Sequence, residues 1–150
     1  MLKLRKNKKG FTLVELIVVI AIMAVLAGTI AGVTVSQLNK QTDNANKTQA
    51  KKVADTIYAE LMENPDIVAN KPTENATGAS MQEALEEAYG TAITWGAQGT
   101  SGGKIGITYD ATNKTYSVTY VGKQSGTKGS VTYTVTSEHG VQTGTPVAKP

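Results

Sequence analysis

Residues 8–35 read KKGFTLVELIVVIAIMAVLAGTIAGVTV. A basic pair and a glycine lead into 25 positions, 11–35, in which Glu15 is the one charged side chain. As a helix those positions extend about 37 Å at roughly 1.5 Å per residue, enough to cross a hydrocarbon core of about 30 Å. Residues 1–10 carry Lys3, Arg5, Lys6, Lys8 and Lys9 and no acid. That excess of positive charge holds a short N-terminus in the cytoplasm, with Lys8 and Lys9 setting orientation beside the apolar run. The remainder of the chain then lies outside the membrane.

The chain has 150 residues and no cysteine, a size that allows one modest domain plus an appendage held together without disulfides. Its formal net charge is +3, but the leader supplies five of the basic side chains, so residues 11–150 carry a net −2. The basic balance belongs to the leader and argues little for nucleic acid binding. An ordinary secretory signal is one alternative for the N-terminus, with Val25-Leu26-Ala27 as its cut site, and a plain retained anchor is another. Against the secretory signal, the apolar run continues past Ala27 to Val35, and Glu15 falls inside the apolar region such a signal needs.

A second helical segment follows without a break. Residues 36–63 (SQLNKQTDNANKTQAKKVADTIYAELME) contain neither proline nor glycine. Leu38, Ala45, Val53, Ile57 and Leu61 outline a weak apolar face, clearest at the i, i+4 spacing of the last three, with Tyr58 and Met62 widening it. Residues 39–48 are polar and rich in asparagine, a poor helix former in isolation, so a loose or melted stretch there is the alternative to an unbroken helix. The simplest reading is one helix over residues 11–63, ended by Asn64-Pro65-Asp66, because proline restricts its predecessor and lacks an amide donor.

The external part mixes a short helix with a small sheet. Ser80-Met81-Gln82-Glu83 has capping-box spacing, and Ala84, Leu85, Ala88 and Tyr89 give the following helix an apolar face that Gly90 closes. Trp95 reads as a core anchor. Residues 104–109 (KIGITY) and 115–121 (TYSVTYV) flank a turn-like DATNK and predict a hairpin. Residues 130–136 (SVTYTVT) form a third strand, alternating Val131, Tyr133 and Val135 with Thr132, Thr134 and Thr136. Such a sheet has one buried and one polar face, and the Val53/Ile57/Leu61 stripe is its cover. The tail after Thr136 either lies along a sheet edge or stays unstructured. The fold class is therefore α+β: a long N-terminal helix, half transmembrane and half amphipathic, on a small C-terminal antiparallel sheet.

Chemistry-bearing patterns are sparse. One histidine, His139, and no cysteine exclude a histidine-rich or cysteine-based metal site. Glu83, Glu86 and Glu87 read as a solvated helix face, and Gly99, Gly102 and Gly103 lack the order of a phosphate loop. Asn46, Asn75 and Asn113 each start an Asn-x-Thr pattern, which chance explains in a chain so rich in both residues. No enzyme and no cofactor is expected.

The stretch Lys8-Lys9-Gly10-Phe11-Thr12-Leu13-Val14-Glu15 closely resembles the N-terminal signal of type IV prepilins and the related pseudopilins. The likeness is specific over residues 1–35 and looser over the helix and sheet. It implies cleavage after Gly10 by a prepilin peptidase that also methylates the new N-terminus at Phe11. It further implies that Glu15 is an assembly residue, and that the region of residues 32–39 is near where such helices often unwind in filaments. The expected organisation is a leader at 1–10, a membrane and filament-core helix at 11–35, its amphipathic continuation at 36–63, and an extracellular head at 64–150. The expected partners are other copies in a helical filament, the peptidase/methyltransferase, an assembly platform protein with its ATPase, and the cytoplasmic membrane before assembly. A host surface, other cells or DNA are further partners such a fibre serves in adhesion, aggregation or motility. The precursor belongs in the cytoplasmic membrane and the product at the cell surface. The missing C-terminal cysteine pair departs from the common Gram-negative pattern and suggests a Gram-positive, clostridial-type source.

Physical chemistry supports a role for Glu15 independently. An ionised carboxylate is costly in lipid unless paired. A cut after Gly10 places the amine of Phe11 four residues away, on the same chain or on a neighbour. The near alternative is a pseudopilin of a secretion or competence system. The alternative of a different class is an anchored or secreted extracellular binding domain that forms no filament.

Overall fold

A computed structural model of the chain describes residues 10–70, 79–96 and 104–146. Helix α1, Leu13–Glu63, is followed by helix α2, Met81–Tyr89, and a single 3-10 turn, Gly90–Ala92. Five strands complete the fold: β1 (Ile93–Trp95), β2 (Ile105–Asp110), β3 (Thr115–Tyr120), β4 (Val131–Thr136) and β5 (Gly140–Thr143). The chain divides into two units, residues 1–38 and 39–150.

In the first unit α1 is apolar on all sides. Every residue from 10 to 38 is exposed, and the large apolar side chains among them are 49–91% accessible. A helix apolar all round has no self-contained way to leave water. Thr29 and Thr34 do not interrupt it, because each hydroxyl donates to a carbonyl of its own helix, Leu26 O at 3.0 Å and Ile30 O at 2.8 Å.

In the second unit the sheet runs β1-β2-β3-β4-β5. The β2/β3, β3/β4 and β4/β5 pairs are antiparallel. The expected hairpin is β2–β3, turning at Asp110, whose carboxylate accepts the amides of Thr112 (2.9 Å) and Asn113 (3.3 Å). Register puts Ile107 opposite Val118, Val118 opposite Tyr133, and Tyr116 opposite Val135, so one face collects the apolar side chains. Ala50, Val53, Ala54, Ile57 and Leu61 of α1 cover that face, with Met81 and Leu85 of α2 in the same core. The Val53/Ile57/Leu61 stripe thus covers the sheet as its spacing requires. Two small alanines beside it allow close approach.

Several elements differ from the sequence reading. β1 joins the sheet parallel to β2, at Ile93–Ile105 through Trp95–Ile107, whereas the tail takes the edge position, one of its two expected outcomes, as strand β5. Leu38, Ala45 and Met62 are exposed, and so is Ala88, because none lies on the narrow stripe that meets the core. Met81, in the first turn of α2, is fully buried instead. Trp95 is half-buried, edge-on to Tyr116 with ring centres 6.3 Å apart, and its Nε1 donates to Asn70 Oδ1 at 2.7 Å. The capping of α2 is as expected on one side: Ser80 Oγ accepts the Glu83 amide at 3.1 Å, and Gly90, at φ 51°, returns its N–H to Glu86 O.

Residues 39–48, the stretch of weakest local propensity, are helical, as the reading of one unbroken helix requires. Asp43, 1% exposed, accounts for it. Its carboxylate accepts from Tyr120 Oη (3.0 Å), the Lys123 amide (2.8 Å) and Gln124 Nε2 (3.2 Å). Asn46, one turn on, donates to the same Tyr120 hydroxyl at 3.0 Å. Tertiary hydrogen bonds therefore supply what local propensity lacks. The β3–β4 connection is pressed onto this point: Gly129 has φ 79°, and a Cβ there would overlap the Asp43 carboxylate.

Candidate assembly site

The N-terminal site is built on the first turn of α1. Thr12 precedes the first helical residue, and Glu15 is the third residue of the helix. The Thr12 amide donates to Glu15 Oε2 at 2.8 Å, and the Thr12 hydroxyl donates to the same oxygen at 2.9 Å. The Glu15 amide in turn lies 3.3 Å from Thr12 Oγ1. This is a capping box, in which side chain and backbone of the first turn satisfy each other. It also sets the carboxylate at the helix end where the dipole favours negative charge.

The arrangement changes the meaning of Glu15. Its negative charge already has two neutral donors before any amine is supplied. Both use one oxygen, Oε2, so the carboxylate retains acceptor capacity for a cation brought close to residue 11 or 12. Thr12 is the hydrogen-bond partner of Glu15 that the reading of charge alone misses. The Thr12-x-x-Glu15 spacing is the signal that identifies it, the same spacing that marks Ser80 and Glu83.

Gly10 and Phe11 lie just ahead of the helix in non-helical backbone, both exposed, with Phe11 91% accessible. No atom comes within 4 Å of where a Gly10 Cβ would stand. Among the described residues, nothing crowds the position of Gly10 just ahead of the helix. Lys8 and Lys9 lie outside the described residues.

Elsewhere the described residues include no group of three histidine, cysteine or acidic side chains able to hold a metal ion. His139 is exposed in the β4–β5 turn, its amide donating to Thr136 Oγ1 at 3.0 Å. Of the Asn-x-Thr patterns, Asn46 is committed to Tyr120 and Asn113 to Asp110, the latter through a 2.6 Å side-chain bond. Asn75 lies outside the described residues.

The chain matches the family model of the prokaryotic N-terminal methylation motif over residues 5–31. No curated protein and no solved structure matches the chain. The motif implies processing by a prepilin peptidase/methyltransferase, and it coincides with a helix long and apolar enough to cross a membrane near the chain start. Joined to a helix whose later part packs on a small antiparallel sheet, the motif makes this a type-IV-pilin-like protein.

Proposed function

We propose that the chain is a structural subunit of a type IV pilus, cut after Gly10 and assembled through residues 11–35. The observation that carries this reading is the exposed, all-round apolar helix with its own polar groups internally bonded. Such a surface is stable in lipid before assembly and against copies of itself afterwards. Residues 36–63 continue the helix into an extracellular head formed with residues 64–150. The charge-satisfied Glu15 makes both environments accessible, because two donors from Thr12 reduce the cost of carrying a carboxylate into apolar surroundings.

Assembly then proceeds by pairing. Cleavage creates a cationic amine on Phe11, and the Glu15 carboxylate of the same or a neighbouring copy accepts it. An unpaired charge of either sign is strongly disfavoured in the filament core, so a subunit seats where both are neutralised. The platform protein and ATPase extract subunits from the membrane, and the finished fibre serves adhesion, aggregation or motility at the cell surface. The absence of cysteine fits a Gram-positive source.

Intact-mass measurement of the exported chain tests the processing step. The expected N-terminus is a methylated Phe11, and Gly10→Val should abolish it. A chain beginning at Gly28 would instead establish a secretory signal and remove the basis for a filament.

A further inference from the structure

A polar cleft of about 330 Å³ lies between two turns of the head. The register that pairs Tyr116 with Val135 brings the β2–β3 turn alongside the β4–β5 turn. Asn113, Lys114 and Thr115 line the cleft on one side, and Thr136, Ser137, Glu138 and His139 on the other. Tyr116 and Val135 are buried in the core, so Thr115 and Thr136, their neighbours in sequence, belong to the opposite face of the sheet. The cleft is thus built on the threonine face.

Part of the lining holds the turns in shape. Thr115 Oγ1 donates to Asn113 O at 3.1 Å, Asn113 Nδ2 to Asp110 Oδ2 at 2.6 Å, and the His139 amide to Thr136 Oγ1 at 3.0 Å. The rest is uncommitted. Among the described residues the side chains of Lys114, Ser137, Glu138 and His139 have no hydrogen bond or ion pair, although all four border one space. Lys114 is also the one non-glycine among the described residues with a positive φ, 50°. Glycine adopts that conformation with less strain, so the turn by itself does not explain a lysine there.

These groups define the ligand. The lining has no phenylalanine, tyrosine, tryptophan or large aliphatic side chain to hold an apolar molecule. Lys114 and Glu138 carry opposite charges, so the cleft has no net attraction for a simple anion or cation. It places donors and acceptors side by side instead: an ammonium that donates, a carboxylate that accepts, and a hydroxyl and an imidazole that do both. A sugar ring presents the same mixture, because each of its hydroxyls both donates and accepts. The volume is at the lower end of the roughly 300–1,000 Å³ of small-molecule sites, which suits one ring rather than a chain of them.

We propose that this cleft binds a neutral monosaccharide unit, with Lys114, Ser137, Glu138 and His139 as its polar contacts. Hydrogen bonds made in exchange for bonds to water keep such a contact weak, with a Kd of about 1–10 mM. A fibre that repeats the cleft in every copy gains by avidity what one copy lacks. That use rests on the filament reading above, whereas the binding itself belongs to the single chain.

Titration of the isotope-labelled full chain, in micelles of a detergent without a sugar headgroup, tests this by amide NMR shifts. The probes are N-acetylglucosamine, galactose, glucose and mannose, with glycine and sodium phosphate as charged controls. At least one sugar should shift the amides of residues 113–115 and 137–139 saturably, at a Kd of about 1–10 mM. Glu138→Gln keeps the shape but removes the charge assistance, and should weaken binding about threefold or more. Lys114→Gly should weaken it about fivefold or more while leaving the thermal midpoint unchanged or higher, because glycine relieves the positive φ. A lysine with a purely structural role would not separate the two readouts. The proposal is overturned if no sugar gives saturable shifts up to about 50 mM, or if both variants bind sugar as wild type does. Shifts from glycine or phosphate alone also overturn it, and assign the cleft to a charged ligand. Sugar binding by chains that never form filaments would overturn the filament reading and leave the cleft standing.

Discussion

Replacing Asp43 by alanine should loosen the head more than any other single polar substitution. The carboxylate receives three hydrogen bonds, from Tyr120 Oη, the Lys123 amide and Gln124 Nε2, and is 1% exposed. Tyr120 is fully buried, so its hydroxyl loses its acceptor with no water to replace it. A buried donor left unpaired costs about 1–3 kcal/mol. Lys123 and Gln124 are less buried and recover part of their loss from solvent. The desolvation of the carboxylate, which the variant no longer bears, offsets a further part. The expected net loss is about 2–4 kcal/mol, a large share of the 5–15 kcal/mol typical of a folded domain. Denaturant unfolding of the full chain in detergent micelles measures it, with Trp95, the single tryptophan, as the fluorescent reporter. The titration behaviour gives an internal control. Burial pushes the Asp43 carboxyl up, but the bonds from Lys123, Gln124 and Tyr120 outweigh it and hold the group below the ordinary carboxylate range. A lowered native pKa means stability that is fully present above the unfolded value, near 3.9, and lost as pH falls through the native one. Asp43→Asn, which keeps two acceptor contacts, should therefore lose less at neutral pH and should show a weaker acid dependence. An alanine variant within about 0.5 kcal/mol of wild type, the usual range of neutral surface changes, would refute the claim that Asp43 holds this end of the head.

Three further outcomes follow from the same geometry. Gly129→Ala places a methyl group on the Asp43 carboxylate at a φ of 79°, and should destabilise by about 2–4 kcal/mol in the same unfolding assay. Ile57→Ala, at a fully buried position between α1 and the sheet, should cost about 2–5 kcal/mol. Thr12→Ala keeps the backbone donor to Glu15 but removes the hydroxyl that donates to Glu15 and accepts its amide, and should weaken the start of α1 by about 0.5–2 kcal/mol, read as faster amide exchange in the first turn, while Thr12→Ser should retain protection.

Much of the fold was legible because its signals are local. The apolar run at 11–35 is defined by composition, the β2–β3 hairpin by alternation around a turn, and the Val53/Ile57/Leu61 cover by spacing. What stayed hidden depends on distant partners. Asp43 stands among asparagines and lysines, and the groups that bury it lie 77–81 residues later. β1 has three residues and pairs in parallel across the 96–104 connection, so neither length nor a tight turn announces it. β5 is four residues with one apolar side chain, and only the neighbouring strand gives it an identity. At the N-terminus the opposite holds. Thr12 was readable from its spacing to Glu15, but the oddity of a carboxylate in an apolar run points first to a missing amine. The structure adds a nearer partner and leaves room for the amine.

The central claim is that residues 11–35 of many copies form the core of a surface fibre with Glu15 paired inside it. Electron microscopy of cells labelled with antibody to residues 64–150 addresses it most directly, comparing wild type with Glu15→Gln. The account predicts labelled filaments on wild-type cells. In the variant it predicts few or none, with the processed chain retained at the membrane. Label confined to the wild-type cell body, or filaments from Glu15→Gln at wild-type yield, would contradict it.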